Sequence, residues 1–149
     1  MVKKELLIEG KTLTEAIDLS IGQLIRYDGH SETLKIIELA QKLSVSQKSP
    51  EESIQAIGEG WVGEEALAIS LYCSLKFPDN FERGTLAAVN YSGDNDSTGS
   101  ITGAILGTLL GVESIPVAWV QKVEESDRIK KIANDMFSVF QNGKGLSLK

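Results

Sequence analysis

At 149 residues the chain is long enough for one packed core, and its 42% apolar and 24% charged content is that of an ordinary globular protein. A formal net charge of -6 argues against a nucleic-acid partner held by bulk electrostatics and against an anionic membrane surface, but leaves local cation binding by carboxylates open. A single cysteine, Cys73, excludes an internal disulfide; set in an apolar run, it reads as an inert buried thiol.

The first ten residues lack the apolar stretch of a signal peptide. The longest uncharged run, residues 97–112, is shorter than the ~20 apolar residues a membrane span needs. These observations predict a soluble, cytoplasmic protein.

In chain order, the punctuation is that of an all-α protein forming one domain over residues 1–149. Thr12 and Glu15 have the spacing of a capping box, in which a hydroxyl and a carboxylate satisfy free backbone donors at a helix start. Behind them Leu13, Ala16, Ile17, Ile21, Leu24 and Ile25 fall on one helical face. A second periodic segment covers residues 31–43, with Leu34, Ile37 and Leu43 as core candidates. Ser49-Pro50-Glu51-Glu52 starts a third helix: serine caps, proline takes the first helical position and the acids meet the positive end of the dipole. A glycine-rich loop, residues 58–63, leads into a helix over 64–76. Pro78-Asp79 separates it from another that runs to about residue 90.

A helix over 97–110 follows, then one over 127–141 with Ile129, Ile132, Ala133, Met136, Phe137 and Phe140 at helical spacing, stopped by Asn142-Gly143. Residues 144–149 read as a frayed tail. No stretch has the period-two alternation of a strand. Gly99, Gly103, Gly107 and Gly111 are spaced by four, which puts them along one side of their helix. Each interior glycine costs ~1 kcal/mol relative to alanine, so the stripe predicts a close helix–helix approach and a central place for residues 97–110.

The segment with most chemistry is Gly93-Asp94-Asn95-Asp96-Ser97-Thr98-Gly99. Asp94, Asp96 and Ser97 suit a helix N-terminus, where Asp and Ser are favoured caps. One Asp is enough for that, however, and two carboxylates with two hydroxyls in one turn also suit a hard cation such as magnesium or calcium. A calcium EF-hand is excluded by spacing, because the position for its bidentate glutamate is Ile105. His30, the only histidine, stands between Asp28 and Ser31 and reads as a surface residue. Trp61 reads as a hydrophobic anchor in a tight loop, with Glu64 and Glu65 as first-turn acids of the following helix.

Taken in series, Gly60-Trp-Val-Gly-Glu-Glu-Ala-Leu67, Ala87-Ala-Val-Asn90, Gly93-Asp-Asn-Asp-Ser-Thr-Gly99 and Gly103-Ala-Ile-Leu-Gly107 resemble the ADP-ribosylglycohydrolase family in order and spacing. The resemblance covers residues 49–137. It implies a compact orthogonal helical bundle. It also implies a two-ion magnesium (or manganese) site with Asp94, Asp96 and Ser97 among the metal ligands. Gly93, Thr98, Gly99, Gly60 and Trp61 become candidates for contact with substrate. The substrate so implied is an ADP-ribosylated acceptor or ADP-ribose, whose ribose C1″ bond is hydrolysed.

The family's N-terminal motifs (Gly-Asp, Thr-Asp-Asp, and Asn-Gly-x-x-Met-Arg) do not occur here. The expectation is therefore a C-terminal part that supplies half the metal site, lacks the acids that activate water and has little activity alone. Two rival expectations stand beside it. One is a non-enzymatic helical module that dimerises or binds an N-terminal-half chain. The other is a magnesium-assisted hydrolase of another phosphorylated nucleoside.

Overall fold

Thr12 opens the first helix as its sequence predicts. Its hydroxyl accepts the Glu15 N–H at 3.3 Å while the Glu15 carboxylate takes the Thr12 N–H at 2.9 Å. The computed structural model describes residues 10–141, with side chains to residue 139. Phe140 as a core candidate, the stop at Asn142-Gly143 and the tail 144–149 lie outside that range. The chain divides into two compact units at residues 115 and 116.

The first unit holds helices α1 (Leu13–Leu24), α2 (Ser31–Ser44), α3 (Pro50–Ile57), α4 (Gly63–Lys76), α5 (Phe81–Val89) and α6 (Asn95–Leu110), then a 3-10 turn (Val112–Ser114). The second holds α7 (Val117–Lys122) and α8 (Ser126–Gln141). The described residues contain no strand, so the molecule is all-α.

Ser49 repeats the device of Thr12 at α3, where its hydroxyl accepts from Glu52 N–H at 3.2 Å and Glu52 returns to Ser49 N–H at 2.9 Å. At α5 the cap is Asn80, whose side-chain oxygen accepts from Arg83 N–H at 2.9 Å.

The centre of the first unit is α4, not the glycine-striped α6. An unbroken run from Ala68 to Ser74 is buried, so α4 is covered on every side, as a helix apolar all round must be. One side joins Ala40, Leu43, Ile54, Ile57 and Ala88 through Ala68, Ile69, Tyr72 and Cys73. The other joins Leu13, Ala16, Ile17, Ile37 and Ile105 through Leu71. Burial pushes the Cys73 thiol up to about 12, consistent with an inert thiol. Ile25, predicted for the core, ends α1 and is exposed.

The glycine stripe of α6 faces α5, but only part of it is tight. A Cβ at Gly99 would lie 2.5 Å from Val89 Cγ1, whereas Gly103 and Gly107 face the Phe81 ring at an ordinary 3.8 Å. Gly111 is the C-cap, at φ 80°. The reciprocal close approach comes from Gly84 on α5, where a Cβ would overlap the Leu106 side chain. In the second unit, α8 has the predicted periodicity, with Ile129, Ile132, Met136 and Phe137 exposed along it.

Candidate functional site

The acid segment enters α6 through one tight turn. Asp94 has φ -75° and ψ 75°, and Asn95 N–H donates to the Gly93 carbonyl at 2.9 Å. That is an inverse γ-turn centred on Asp94. Asp94 is also the helix cap: its Oδ1 accepts from Ser97 N–H at 3.4 Å. The helix therefore starts two residues earlier than periodicity predicts, because the apolar pattern begins inside it and the cap lies outside the pattern.

Asp96 sits in the first turn, exposed; Ser97 is half-buried. The Asp96 side chain, then the Ser97 hydroxyl, hold the Asp94 carboxyl below the usual carboxylate range. Two carboxylates and one hydroxyl are thus gathered at the solvent-facing mouth of α6. Among the described residues no group of three or more His, Cys, Asp or Glu side chains that could hold a metal is present, so these two acids form a partial oxygen set.

Beneath the turn, Thr98 is fully buried. Its hydroxyl lies 2.7 Å from the Ala88 carbonyl and donates its single proton there. The Thr98 side chain therefore supports the turn from inside and is not presented to solvent. Ser70, also buried, lies 3.2 Å from the Thr98 carbonyl and ties α4 to α6 at the same level.

The second predicted element, Gly60-Trp61, is brought to the same place by the backbone. Asp94 N–H donates to the Glu59 carbonyl at 2.9 Å. Gly60 has φ 81°, and a Cβ there would meet the Tyr91 hydroxyl at 2.6 Å and Asp94 Cβ at 3.6 Å. Gly93 faces the same loop, since a Cβ on it would overlap the Glu59 carbonyl. The close approach that Gly93 and Gly99 permit in this structure is to protein atoms, Glu59 and Val89 respectively.

Trp61 is 68% exposed and is not a core anchor. Its Nε1–H donates to the Glu59 carboxylate at 3.2 Å, which leaves the ring open to solvent beside Gly60.

Three residues that motif reading leaves without a role in the site hold it together. The Glu65 carboxylate accepts the N–H of Gly60 at 3.0 Å and of Glu59 at 3.2 Å. The Tyr91 hydroxyl lies 3.1 Å from the Asp94 carbonyl and 3.3 Å from the Glu59 carbonyl. Glu59 itself links both sides, through its carbonyl to Asp94 and through its carboxylate to Trp61. In the sequence Glu65 stands in the Gly60–Leu67 motif and reads as a first-turn acid, with no sign that it reaches back to the loop. His30 lies elsewhere in the chain's contacts, with Nδ1 2.7 Å from the Tyr27 carbonyl of its own turn.

Comparison with known proteins agrees with the resemblance read from the motifs. The family model described as ADP-ribosylglycohydrolase matches residues 3–145. The chain is similar to ADP-ribosylhydrolase ARH3 of Bos taurus, 29% identical over 121 residues, which are 74% of this chain and 32% of that protein. For the Homo sapiens protein of the same name the identity is 28% with the same coverage of each. ADP-ribosylarginine hydrolase Tri1 of Serratia proteamaculans (strain 568) is 39% identical over 59 residues, 40% of this chain and 16% of that protein. The chain thus spans about a third or less of the length of these curated relatives. No solved structure matches.

Proposed function

Because the chain belongs to the ADP-ribosylglycohydrolase family, we propose that it forms part of a magnesium-dependent hydrolase acting on an ADP-ribosyl group, and that Asp94, Asp96 and Ser97 supply part of the metal's oxygen ligands. One observation carries the reading: Asp94 caps α6 and Asp96 stands exposed in its first turn, so two carboxylates and the Ser97 hydroxyl gather at one helix mouth. Like charges so placed repel, and a hard divalent cation would relieve that repulsion. The donors fit magnesium or manganese, being all oxygen.

When bound, such an ion orients a polyhydroxylated substrate and polarises a water for attack. The residues of this chain do the rest of the positioning. Asp94 keeps one oxygen on the Ser97 N–H at 3.4 Å, the bond that caps α6. Glu59 holds the Trp61 ring at the rim, where an aromatic face suits the flat base or the ribose of ADP-ribose. Gly60 and Gly93 let the Trp61 loop and the acid turn close on one another, since a Cβ at Gly60 would meet the Tyr91 hydroxyl and one at Gly93 the Glu59 carbonyl. Two carboxylates and a hydroxyl do not fill an ion pair's coordination. The remaining ligands come from water, substrate or another segment, and this chain by itself turns over ADP-ribosyl bonds slowly.

Calorimetric titration with magnesium tests the site. The wild-type chain should give a saturable heat that Asp94→Ala/Asp96→Ala abolishes; identical heats for the two proteins would sink the reading. A second reading, a helical module that binds another polypeptide or a second copy, is favoured by the exposed row Ile129, Ile132, Met136 and Phe137 on α8. A strictly monomeric particle in light scattering, at every concentration and with candidate partner chains added, argues against it.

A further inference from the structure

We propose that Glu65 is a positioning residue that locks the acid turn and the Trp61 loop into one unit; the proposal rests on the reading of Asp94 as a metal ligand. An acid in the first turn of a helix ordinarily faces the free N–H groups of its own helix. Glu65 instead reaches back five and six residues, and one of its oxygens accepts the N–H groups of both Gly60 and Glu59, at 3.0 and 3.2 Å.

Room for that carboxylate is made by Gly58, where a Cβ would overlap it. The bonds fix the peptides on either side of Glu59, and so aim its carbonyl at the Asp94 N–H 2.9 Å away. The same carbonyl lies 3.3 Å from the Tyr91 hydroxyl, which also reaches the Asp94 carbonyl. The Glu59 side chain holds the Trp61 indole. One carboxylate thus sets both the backbone of the candidate metal turn and the ring at its rim. It touches neither substrate nor ion.

Amide exchange followed by NMR on the metal-free chain tests this. It compares wild type with Glu65→Ala, Glu65→Gln and Gly58→Ala. The glutamine keeps an oxygen acceptor; the alanine at position 58 keeps the acid but displaces it. The Asp94 amide should exchange about tenfold faster or more in Glu65→Ala and in Gly58→Ala, and stay within about twofold of wild type in Glu65→Gln. The amide of Ile69, in the middle of α4, should not change in any of them, which separates a local latch from general loosening.

Manganese affinity, read by electron paramagnetic resonance, should fall about tenfold in Glu65→Ala and be restored in Glu65→Gln, the scale on which partners behind metal ligands act. Unchanged Asp94 exchange in Glu65→Ala and Gly58→Ala would overturn the proposal, and so would Glu65→Gln exchanging as fast as Glu65→Ala. A wild-type chain that takes no manganese would refute the metal reading instead, and the amide exchange would still decide the latch.

Discussion

Gly93 is the residue at which sequence and site constrain each other most directly. Any side chain there would run into the Glu59 carbonyl, which is backbone and cannot rotate away. Gly93→Ala should therefore destabilise the chain by about 1–3 kcal/mol, the range for forced overpacking, and should weaken magnesium binding along with it. Chemical denaturation and calorimetry check the two effects. The presence of glycine at 60 and 93 is plain in the sequence, but the pairing of the two loops is not, because it runs through main-chain atoms that no motif encodes. Trp61 reads as an anchor because a large aromatic in a tight loop is expected to pack, whereas its indole bonds the Glu59 carboxylate and its ring is exposed. Cys73 is the opposite case, since an apolar neighbourhood suffices to predict a buried thiol. With burial raising it to about 12, it should resist thiol reagents at pH 8 in the native protein and react once the chain is unfolded.

At the scale of elements, what is legible is what local chemistry decides. The capping boxes at Thr12 and Ser49 follow from residue type and spacing alone. Ser49→Ala should lower stability by about 1 kcal/mol, measured by urea denaturation. At α1 the Glu15 carboxyl is held below its ordinary range, first by the Thr12 N–H and then by the Thr12 hydroxyl. A lowered carboxyl contributes stability that is present above its unfolded value and disappears as pH falls through the lower folded value. The stability difference between wild type and Glu15→Ala should accordingly be constant near neutrality and shrink as pH falls below the ordinary carboxylate value of 4.5; a gap that widens on acidification would contradict this.

The centrality of α4 escapes periodicity because a helix covered on all sides has no polar face to mark its phase. The short α7, between Pro116 and Val123, carries too few residues to show a period and is absent from the sequence reading. The α6 stripe predicts a close neighbour correctly, but the contact depends on one of its glycines, Gly99, and on Gly84 of the partner helix.

For the whole molecule, the acidic balance and the all-α architecture are read from composition and punctuation, and the helices of the described residues bear out the second. The candidate site lies where α6 begins. There, a loop from before α4 and a turn from after α5 are joined by Glu59, Glu65 and Tyr91. No helix of the described residues is long and apolar enough to cross a membrane. On the proposed function, this junction holds the ribose of an ADP-ribosyl group through a divalent ion. Equilibrium dialysis of labelled ADP-ribose against the chain, with and without magnesium, tests this. Retention should appear with magnesium and be lost in Asp94→Ala/Asp96→Ala. Retention that ignores magnesium, or that survives the double substitution, would contradict it.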